Sequence, residues 1–369
     1  MAAASRGRWH LTVIVSPGGA DAQGVRHNRT MRQVTIVRHG PPDVLRLVTK
    51  PDPAPAAGEI RVTVRASGVN FADILARLGL YPDAPKPPVV VGYEVSGVVD
   101  AVGAGVTAFR EGDRVVALTR FGGYADRVIV PMGFVFHGPP SIDDVTAAAI
   151  PVNYLTALIG LYRLANLTAG ETVLVHGAAG GVGIAATQLA RLRGARVIGT
   201  ASAEKHDAIR ANGVEHALDY RHGSVAAEVR RLTNGRGADV VLDPIGGRSF
   251  RESYQMLAPL GRLVLYGASR LASGERRSLW RIVTTLAQMP RFHPLSLMNR
   301  NRGVFGLNLG HLWDERDRLA DAMSQIFADV AAGRLRPVVA RTFPLEQAAE
   351  AHRFIQARSN IGKVVLTVE

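Results

Sequence analysis

The first third of the chain alternates between short apolar stretches and clusters of turn residues. Apolar and β-branched residues recur in four stretches, at positions 59–67, 89–102, 114–118 and 124–131. Proline, glycine and acidic residues interrupt the pattern at 55–58, 103–105 and 111–113. Because short β-forming runs bounded by turn residues are typical of strands, the pattern predicts a compact, largely antiparallel β domain from residue 31 to about 150.

After residue 143 the pattern changes to apolar runs that alternate with longer helix-forming stretches. The predicted helices cover residues 143–165, 182–193, 203–212, 224–233 and 248–257. The predicted strands cover residues 172–175, 195–200, 216–219, 238–242 and 261–266. Strands and helices that alternate in this way build a parallel sheet with helices on both faces, so we predict an α/β, doubly wound second domain.

A glycine-rich sequence, VHGAAGGVG at residues 175–183, joins the first strand of this second domain to a helix. Small residues let the backbone approach a pyrophosphate, and the amides of the first helical turn present N–H donors to its negative charge. The same loop would also serve as a plain tight turn. The strands on either side of it favour a dinucleotide-binding site.

The residues after the next strand bear on which dinucleotide the site would select. A site for NAD normally ends this strand with Asp or Glu, which binds the ribose 2′-hydroxyl. Here Ser202 and Lys205 follow the strand, and Tyr220 closes the third strand. A hydroxyl and a cation suit a 2′-phosphate, so the sequence favours NADPH over NADH. Lys205 could instead be a solvated helix residue, and Glu204 could still prefer a ribose hydroxyl.

Length and composition limit the classes of protein that remain. The chain has 369 residues, 47% of them hydrophobic, no cysteine and a formal net charge of +13. The length predicts two domains, and the lack of cysteine excludes disulfides, thiolate nucleophiles and cysteine-bound metals. The arginines are spread along the chain without a nucleic-acid-binding motif, so we expect no nucleic-acid partner. No apolar run reaches about eighteen residues, so we expect no membrane-spanning helix and predict a cytoplasmic protein.

Two segments depart from the two-domain pattern. Residues 1–30 carry four arginines and one acid, and we expect a disordered extension, with Met31 as an alternative start. Residues 270–302 hold seven arginines and a single acid, Glu275. Their apolar residues could form one helix face, made of Leu279, Trp280, Ile282, Val283, Leu286 and Met289. Contact with an anionic membrane is one hypothesis, and a lid or a subunit interface is the favoured one.

Several motifs carry a resemblance to a known superfamily. They are GVNFAD at 68–73, RLGLYP at 77–82, GDRV at 112–115, HGAAGGVG at 176–183 and GKVV at 362–365. Through them the chain resembles the quinone oxidoreductase branch of the medium-chain dehydrogenase/reductases, over residues 31–369. Within that branch, PVNYLTA at 151–157 and GLNLG at 306–310 are similar to the VAT-1-like subgroup.

The resemblance implies a domain organisation and an assembly. It implies a GroES-like catalytic domain formed by residues 31–150 and 305–369, and a Rossmann NADP-binding domain at 151–304. Residues 270–303 would be a basic amphipathic insert or lid within the second domain. Relatives in this branch are commonly homodimers, so a homodimer is also expected.

Zinc-dependent members of the superfamily carry a Gly-His-Glu segment that supplies a metal ligand, together with a cysteine. Here that segment reads Gly92, Tyr93 and Glu94, and the chain has no cysteine, so we predict no metal. Without a Lewis acid, the substrate must already accept hydride readily. A quinone or an α,β-unsaturated carbonyl meets that requirement, with the protein positioning the nicotinamide and excluding water.

The resemblance also assigns residues to the site. It implies that Asn70, Asp73 and Tyr81 border the catalytic cleft, where Asn70 would orient the nicotinamide or acceptor and Tyr81 would donate a hydrogen bond. Each has a structural alternative, as a turn residue, a helix cap and a packed turn respectively. The implied cofactor contacts are Asn70, Thr156, Ala179, Gly180, Gly181, Val182, Ser202, Lys205, Tyr220, Tyr266, Gly267, Ala268, Ser269, Asn308 and Arg358. Leu75 departs from members with tyrosine there, which puts their detailed hydrogen-bonding scheme in doubt.

Two functions therefore remain open at this point. The first is a zinc-independent, NADPH-dependent oxidoreductase that transfers hydride to a quinone or an α,β-unsaturated carbonyl. The second is an NADPH-binding but catalytically weak protein that associates with a membrane or a partner through residues 270–302.

Overall fold

The computed structural model describes residues 30–369. The disordered extension predicted for residues 1–30 lies outside this range, except for Thr30, which begins the first strand. The predicted division into a β domain and an α/β domain is confirmed, and each domain has its own sheet system.

Ten strands build the first domain. They are β1 (Thr30–Ile36), β2 (Leu45–Pro51), β3 (Glu59–Val69), β4 (Val89–Val90), β5 (Glu94–Val102), β6 (Arg114–Leu118), β7 (Arg127–Pro131), β8 (Val135–His137), β15 (Val339–Pro344) and β16 (Lys363–Thr367). Seven of them form one sheet, in the order β15-β16-β3-β5-β6-β8 with β7 against β3, and β2-β1-β4 form a second. All these pairs are antiparallel except β15 with β16.

The strand predicted for residues 89–102 is wrong as one element, because the structure divides it into β4 and β5. Gly92 lies at the break with a φ of +103°, a conformation that residues with a side chain rarely adopt. A Cβ at this position would also lie 2.7 Å from the ring of Tyr124. The turn places Tyr93 and Glu94 at the start of β5, close to helix α1 (Phe71–Arg77).

The second domain contains a six-stranded parallel sheet. Its strands are β9 (Thr172–Val175), β10 (Arg196–Ala201), β11 (His216–Asp219), β12 (Ala238–Asp243), β13 (Leu257–Leu265) and β14 (Gly303–Gly306). Their spatial order is β11-β10-β9-β12-β13-β14, which is the order of a Rossmann fold. Because β14 completes this sheet, the domain ends after Gly306 and not at residue 304 as the sequence indicated.

Helices cover the Rossmann sheet and join the two domains. They are α2 (Asp144–Ala147), α3 (Pro151–Leu158), α4 (Gly181–Leu192), α5 (His206–Ala211), α6 (Val225–Leu232), α7 (Arg248–Gln255), α8 (Leu279–Ala287), α9 (Pro294–Arg300), α10 (Arg316–Ala331) and α11 (Ala348–Gln356). One cluster of buried apolar side chains runs from the β domain through α3 to the Rossmann sheet.

The helix predicted for residues 143–165 has three parts. It consists of α2, then α3, which begins at Pro151, and a π-helical turn at Ile159–Leu164. Proline cannot donate the backbone hydrogen bond of a continuing helix, which explains the interruption. By length and composition the run Asp144–Leu164 could cross a membrane, contrary to the sequence-based expectation. Its apolar stretch is 72% buried inside the fold, as in a core helix.

The basic segment forms the helices α8 and α9 between β13 and β14. The helix predicted from Leu279 onward is confirmed, and of its predicted apolar face only Ile282 and Met289 are half-buried. Six large apolar side chains are between 53% and 77% exposed, namely Leu279, Trp280, Val283, Leu286, Leu295 and Met298. The two helices therefore present an apolar surface flanked by arginines.

Candidate cofactor and substrate site

The glycine-rich turn between β9 and α4 requires glycine for steric reasons. A Cβ on Gly183 would lie 2.3 Å from the carbonyl oxygen of Gly177, and one on Gly181 would lie 2.4 Å from Asn153 Nδ2. The absence of side chains lets the turn close tightly against α3 and leaves the amides of α4 at its mouth. Ala179, Gly180, Gly181 and Val182, which the resemblance assigns to cofactor binding, form this turn.

The predicted cofactor residues converge on one edge of the Rossmann sheet. Most of them follow the carboxyl end of a strand, which is where open parallel sheets bind their ligands. Ala179 follows β9, Ser202 follows β10, Tyr220 follows β11, residues Tyr266, Gly267, Ala268 and Ser269 follow β13, and Asn308 follows β14. Thr156 lies on α3 and is 8% exposed. The structure thus brings together residues that span more than 150 positions of the sequence.

A short segment of the β domain, residues 358–363, crosses this edge. Gly362 N donates to the carbonyl of Ala179 at 2.8 Å, and Gly362 forms a parallel bridge with Gly180. Gly362 has a φ of +95°, and a Cβ there would lie 2.3 Å from the carbonyl oxygen of Val338. Glycine is therefore required where the segment passes the turn.

At one end of the 358–363 segment, four predicted residues meet, and we call this group the cationic end. It consists of Ser202, Lys205, Tyr220 and Arg358. Lys205 Nζ donates to the carbonyl oxygens of Arg358 at 2.5 Å and Asn360 at 2.8 Å, and Arg358 Nη1 donates to Tyr220 Oη at 3.4 Å. Burial lowers the pKa of Lys205 somewhat. Arg358 has a φ of +56°, which is uncommon for a residue with a side chain.

Two further charged residues adjoin the cationic end. Ser202 Oγ donates to Glu204 Oε1 at 2.7 Å, and the same carboxylate lies 3.4 Å from Arg221 Nη1. The sequence raised Glu204 as an alternative partner for a ribose hydroxyl, and here its carboxylate accepts from Ser202 instead. Sequence reasoning did not single out Arg221, although it follows Tyr220 directly.

At the other end of the segment, Lys363 forms a buried cluster with Asn70 and Glu94, which we call the buried end. Lys363 Nζ donates to Asn70 Oδ1 at 2.6 Å and forms an ion pair with Glu94. Asn70 Nδ2 donates to Glu94 Oε1 at 2.9 Å, and Glu94 Oε2 accepts from the backbone N–H of Val152 at 2.7 Å. Both ends of the Asn70 amide are therefore engaged, which fixes its orientation.

Lys363 and Glu94 were not predicted as site residues, although both lie in motifs that the sequence displays. The side chain of Lys363 is 3% exposed and that of Glu94 is fully buried. The donor set does not fit zinc, because the chain has no cysteine and both oxygens of Glu94 are already engaged. Within residues 30–369, no three His, Asp or Glu side chains lie close enough together to hold a metal ion.

Asp73 was predicted to border the cleft, but the structure shows the alternative role of a helix cap. Its side chain is fully buried at the start of α1. Oδ2 accepts from Asn70 N at 2.8 Å and from Tyr124 Oη at 3.0 Å, and Oδ1 accepts from Gly92 N at 3.0 Å. Burial raises the pKa of Asp73 to about 7 despite these hydrogen bonds. The carboxyl group thus ties the start of α1 to the turn at Gly92 and to Tyr124.

A chain of buried polar groups continues from Asp73 and was not predicted. Tyr124 Oη lies 3.1 Å from His352 Nε2, and Arg77 Nε donates to His352 Nδ1 at 3.2 Å. Burial lowers the pKa of His352, so its ring is neutral and carries its proton on Nε2. Arg77 also donates to Gln356 Oε1 at 2.6 Å and to the carbonyl of Gly40 at 2.6 Å. These hydrogen bonds connect α1 to α11.

Tyr81 and Asn308 meet across the domain boundary, as the resemblance implies for residues around one cleft. Tyr81 Oη donates to Asn308 Oδ1 at 3.3 Å, and Asn308 Nδ2 donates to Asp83 Oδ2 at 3.1 Å. His311 Nε2 lies 2.8 Å from the same carboxylate oxygen. An open cavity of about 510 Å³ adjoins Asn308, with Leu265 and Leu307 in its wall.

Comparisons with known proteins identify this arrangement. The family described as "Alcohol dehydrogenase GroES-like domain" matches residues 56–140, and "Zinc-binding dehydrogenase" matches residues 212–366. A GroES-like domain joined to a Rossmann domain with this cofactor edge defines a medium-chain dehydrogenase/reductase.

Relatives and solved structures narrow the assignment. The synaptic vesicle membrane protein VAT-1 homolog of Danio rerio is 42% identical over 342 residues, covering 92% of this chain and 70% of the relative. The human VAT-1 homolog-like structure is 34% identical with a TM-score of 0.80, covering 92% of this chain and 98% of that one. The chain belongs to the family of VAT-1 homologues.

Other structural neighbours are oxidoreductases. A mycobacterial protein solved in complex with NADPH is 33% identical with a TM-score of 0.81, covering 91% of this chain and 99% of that one. The CurK enoyl reductase is 27% identical with a TM-score of 0.81, covering 92% of this chain and 99% of that one. The resemblance predicted from the sequence motifs is confirmed at the level of the superfamily and of the VAT-1-like subgroup.

Proposed function

We propose that the protein is an NADPH-dependent oxidoreductase that transfers hydride to a quinone or an α,β-unsaturated carbonyl without zinc. The observation that carries the proposal is the meeting of Ser202, Lys205, Tyr220 and Arg358 beside the glycine-rich turn. A hydroxyl and two cations beside the end of β10 suit a 2′-phosphate, because charge-assisted hydrogen bonds to phosphate are stronger than hydrogen bonds between neutral groups. The NADPH in the mycobacterial neighbour supports the same choice.

The residues fit a bound dinucleotide along the whole sheet edge. The turn at residues 177–183 would hold the pyrophosphate through its backbone amides, and the cationic end would hold the 2′-phosphate. When bound, reduced nicotinamide would supply a hydride. The protein's own part is then to orient the acceptor, exclude water and place hydrogen-bond donors near the oxygen that gains charge.

The acceptor class follows from the chemistry of the buried end. In related enzymes zinc polarises a simple ketone or alcohol. Here a zinc ion would have no ligand set, because the carboxylate of Glu94 is paired with Lys363. A quinone or enone needs less polarisation, since its π system already accepts hydride. The enoyl reductase among the structural neighbours acts on a double bond of this kind, which supports the proposal.

The direct experiment is NADPH oxidation by the purified protein with a panel of ortho- and para-quinones and enones. NADPH-selective turnover that EDTA does not inhibit is the expected result, with NADH as the cofactor control. Saturable NADPH binding with no acceptor reduced would contradict the reductase proposal. It would support the alternative, an NADPH-binding and catalytically weak protein.

A second candidate function is peripheral membrane contact, and the surface of α8 and α9 favours it. Leu279 is 67% exposed and Trp280 is 77% exposed, and arginines flank them. Basic amphipathic helices of this kind bind anionic bilayers. Flotation with phosphatidylserine vesicles, compared with phosphatidylcholine vesicles, tests it. The double variant L279S/W280S should lose flotation, and equal flotation of both proteins would contradict membrane contact through these helices.

We further propose that the protein is a cytoplasmic homodimer. The outermost position of β14 in the Rossmann sheet supports this assembly, because an edge strand can pair with the same strand of a second copy. Light scattering of the purified full chain tests the proposal. A monomer at micromolar concentration would contradict it, and fractionation of cells tests the location.

A further inference from the structure

Tyr93 carries a buried hydroxyl group that has no hydrogen-bond partner within residues 30–369. The residue is 8% exposed and directly follows the turn at Gly92. Buried tyrosine hydroxyls usually have a partner, because an unsatisfied polar group loses its hydration without compensation. A hydroxyl kept in such a position therefore retains an unused hydrogen-bond donor.

Tyr93 lies between the two groups of side chains that border the cleft. Its ring meets that of Tyr81 edge-on, with the centroids 6.0 Å apart, and its centroid is 5.4 Å from that of Phe121. Tyr81 reaches Asn308 in the other domain. On its other side, Tyr93 is followed by Glu94 of the buried end, where Asn70 and Lys363 are fixed.

The two tyrosines differ in how far their hydroxyl groups are engaged. Tyr81 Oη donates its proton to Asn308 Oδ1, whereas Tyr93 Oη has only the Tyr81 hydroxyl nearby, without hydrogen-bond geometry. Burial and the nearby Asp73 raise the pKa of Tyr93 well above its usual value. Tyr93 therefore stays protonated at neutral pH and retains a proton with which to donate.

We propose that Tyr93 donates a hydrogen bond to the carbonyl oxygen of the hydride acceptor, an inference that rests on the proposed function. Reduction of an enone forms a C–H bond at the β-carbon with hydride from NADPH, which is oxidised to NADP⁺. The C=C electron pair moves toward the carbonyl oxygen and gives an enolate, which takes a proton from solvent at the α-carbon. The Tyr93 hydroxyl stabilises the charge on that oxygen, as a Lewis acid would.

The chain offers a matched control for removal of this hydroxyl. Tyr254 is another tyrosine whose buried hydroxyl has no partner in residues 30–369, and it packs against Phe292 and Arg302 away from the cleft. Y93F and Y254F each remove one buried, unpartnered hydroxyl, from a buried ring at Tyr93 and from a half-buried ring at Tyr254. Neither variant should lower the thermal midpoint, because no hydrogen bond is lost.

The experiment compares wild type, Y93F and Y254F by acceptor reduction and by NADPH titration, followed as nicotinamide fluorescence. Loss of one oxyanion donor should lower the kcat of Y93F on the order of 100-fold. NADPH affinity should stay unchanged in both variants, and Y254F should retain the wild-type kcat. A Y93F kcat within about threefold of wild type would overturn the proposal.

A binding measurement separates this proposal from the proposed function. 4-Nitrophenolate presents a phenolate oxygen that mimics the enolate and reports its binding by absorbance. In the presence of NADP⁺, Y93F should bind it at least about tenfold more weakly than wild type or Y254F. If binding depends on Tyr93 but no quinone or enone is reduced, the reductase function is rejected and the role of Tyr93 as a hydrogen-bond donor is upheld. Equal binding of 4-nitrophenolate by all three proteins, or no binding by wild type, would overturn the proposed donor role of Tyr93.

Discussion

At the cationic end of the 358–363 segment, charged side chains reach backbone carbonyls at the rim of the fold, whereas at the buried end Lys363 is enclosed with its counter-charge. Lys205 is half-buried and retains donor capacity, while the amide of Asn70 and the carboxylate of Glu94 are engaged on both sides. The first arrangement suits selection of a ligand by charge. The second suits fixed geometry, because its members have no alternative partners.

The largest effect is expected at the buried end, from K363M. The substitution keeps the side-chain volume but leaves the Glu94 carboxylate buried without a cation, which should cost about 3–5 kcal/mol of unfolding free energy. Urea unfolding measures the loss. The double variant K363M/E94Q should recover part of it, and a loss under about 1 kcal/mol for K363M alone would contradict the described enclosure of the ion pair.

The next effect concerns pH and Asp73. Its pKa is about 7 in the folded protein, above the ordinary value near 4, so the folded state holds the proton more tightly. Protonated Asp73 therefore contributes stability below about pH 4, and this contribution is lost as pH rises to about 7, at up to about 1.4 kcal/mol per pH unit.

Unfolding free energies between pH 4.5 and 8 check this sign. D73N should lack the decline that wild type shows, although its single amide oxygen can accept from only one of the two backbone N–H groups, which makes it less stable overall. The same pH slope in both proteins would contradict the assignment of this pH dependence to Asp73.

A smaller effect is expected at the cationic end, from K205M. Loss of one cation beside the 2′-phosphate should weaken NADPH binding about tenfold, leave NADH binding unchanged and reduce the salt dependence of NADPH affinity. Fluorescence titration of both cofactors at two salt concentrations measures these changes. Equal losses for NADPH and NADH would show that Lys205 supports the segment and does not select the cofactor.

The smallest effect is expected from E204Q. This change removes a negative charge that competes with a phosphate for Ser202 and Arg221, so NADPH affinity should rise about threefold. E228Q on α6, which removes an exposed carboxylate paired with Arg231 outside the group, is a matched surface control. Weaker NADPH binding by E204Q would indicate that the carboxylate helps to bind the ribose.

The sequence predicted best where the information is local. The glycine-rich turn, Ser202 and Lys205 follow strands at fixed spacing, so the Rossmann pattern located them. The buried end joins Asn70 with Lys363, which are 293 positions apart, and Arg77 meets His352 across 275 positions. No periodicity or spacing connects such pairs, because only the return of β16 to the first sheet brings them together.

The pattern of hydrophobic and polar residues alone also predicted some features of the structure less completely than others. Alternation continues through residues 89–102, and only the geometry of Gly92 shows that the chain turns there. The amphipathic pattern of α8 predicted a helix correctly, but periodicity does not identify the surface that covers its apolar face. Asp73 fits both a cap and a cleft residue by sequence, and the structure shows the cap.

The 358–363 segment also sets a limit on domain motion. Six residues span at most about 21 Å even when fully extended, so covalent geometry bounds the distance between Arg358 and Lys363. Gly362 N is hydrogen-bonded to the carbonyl of Ala179 in the glycine-rich turn. The segment therefore cannot lengthen without losing this bond. A rotation of the two domains that keeps this contact would therefore have the Gly180–Gly362 bridge as its fixed point.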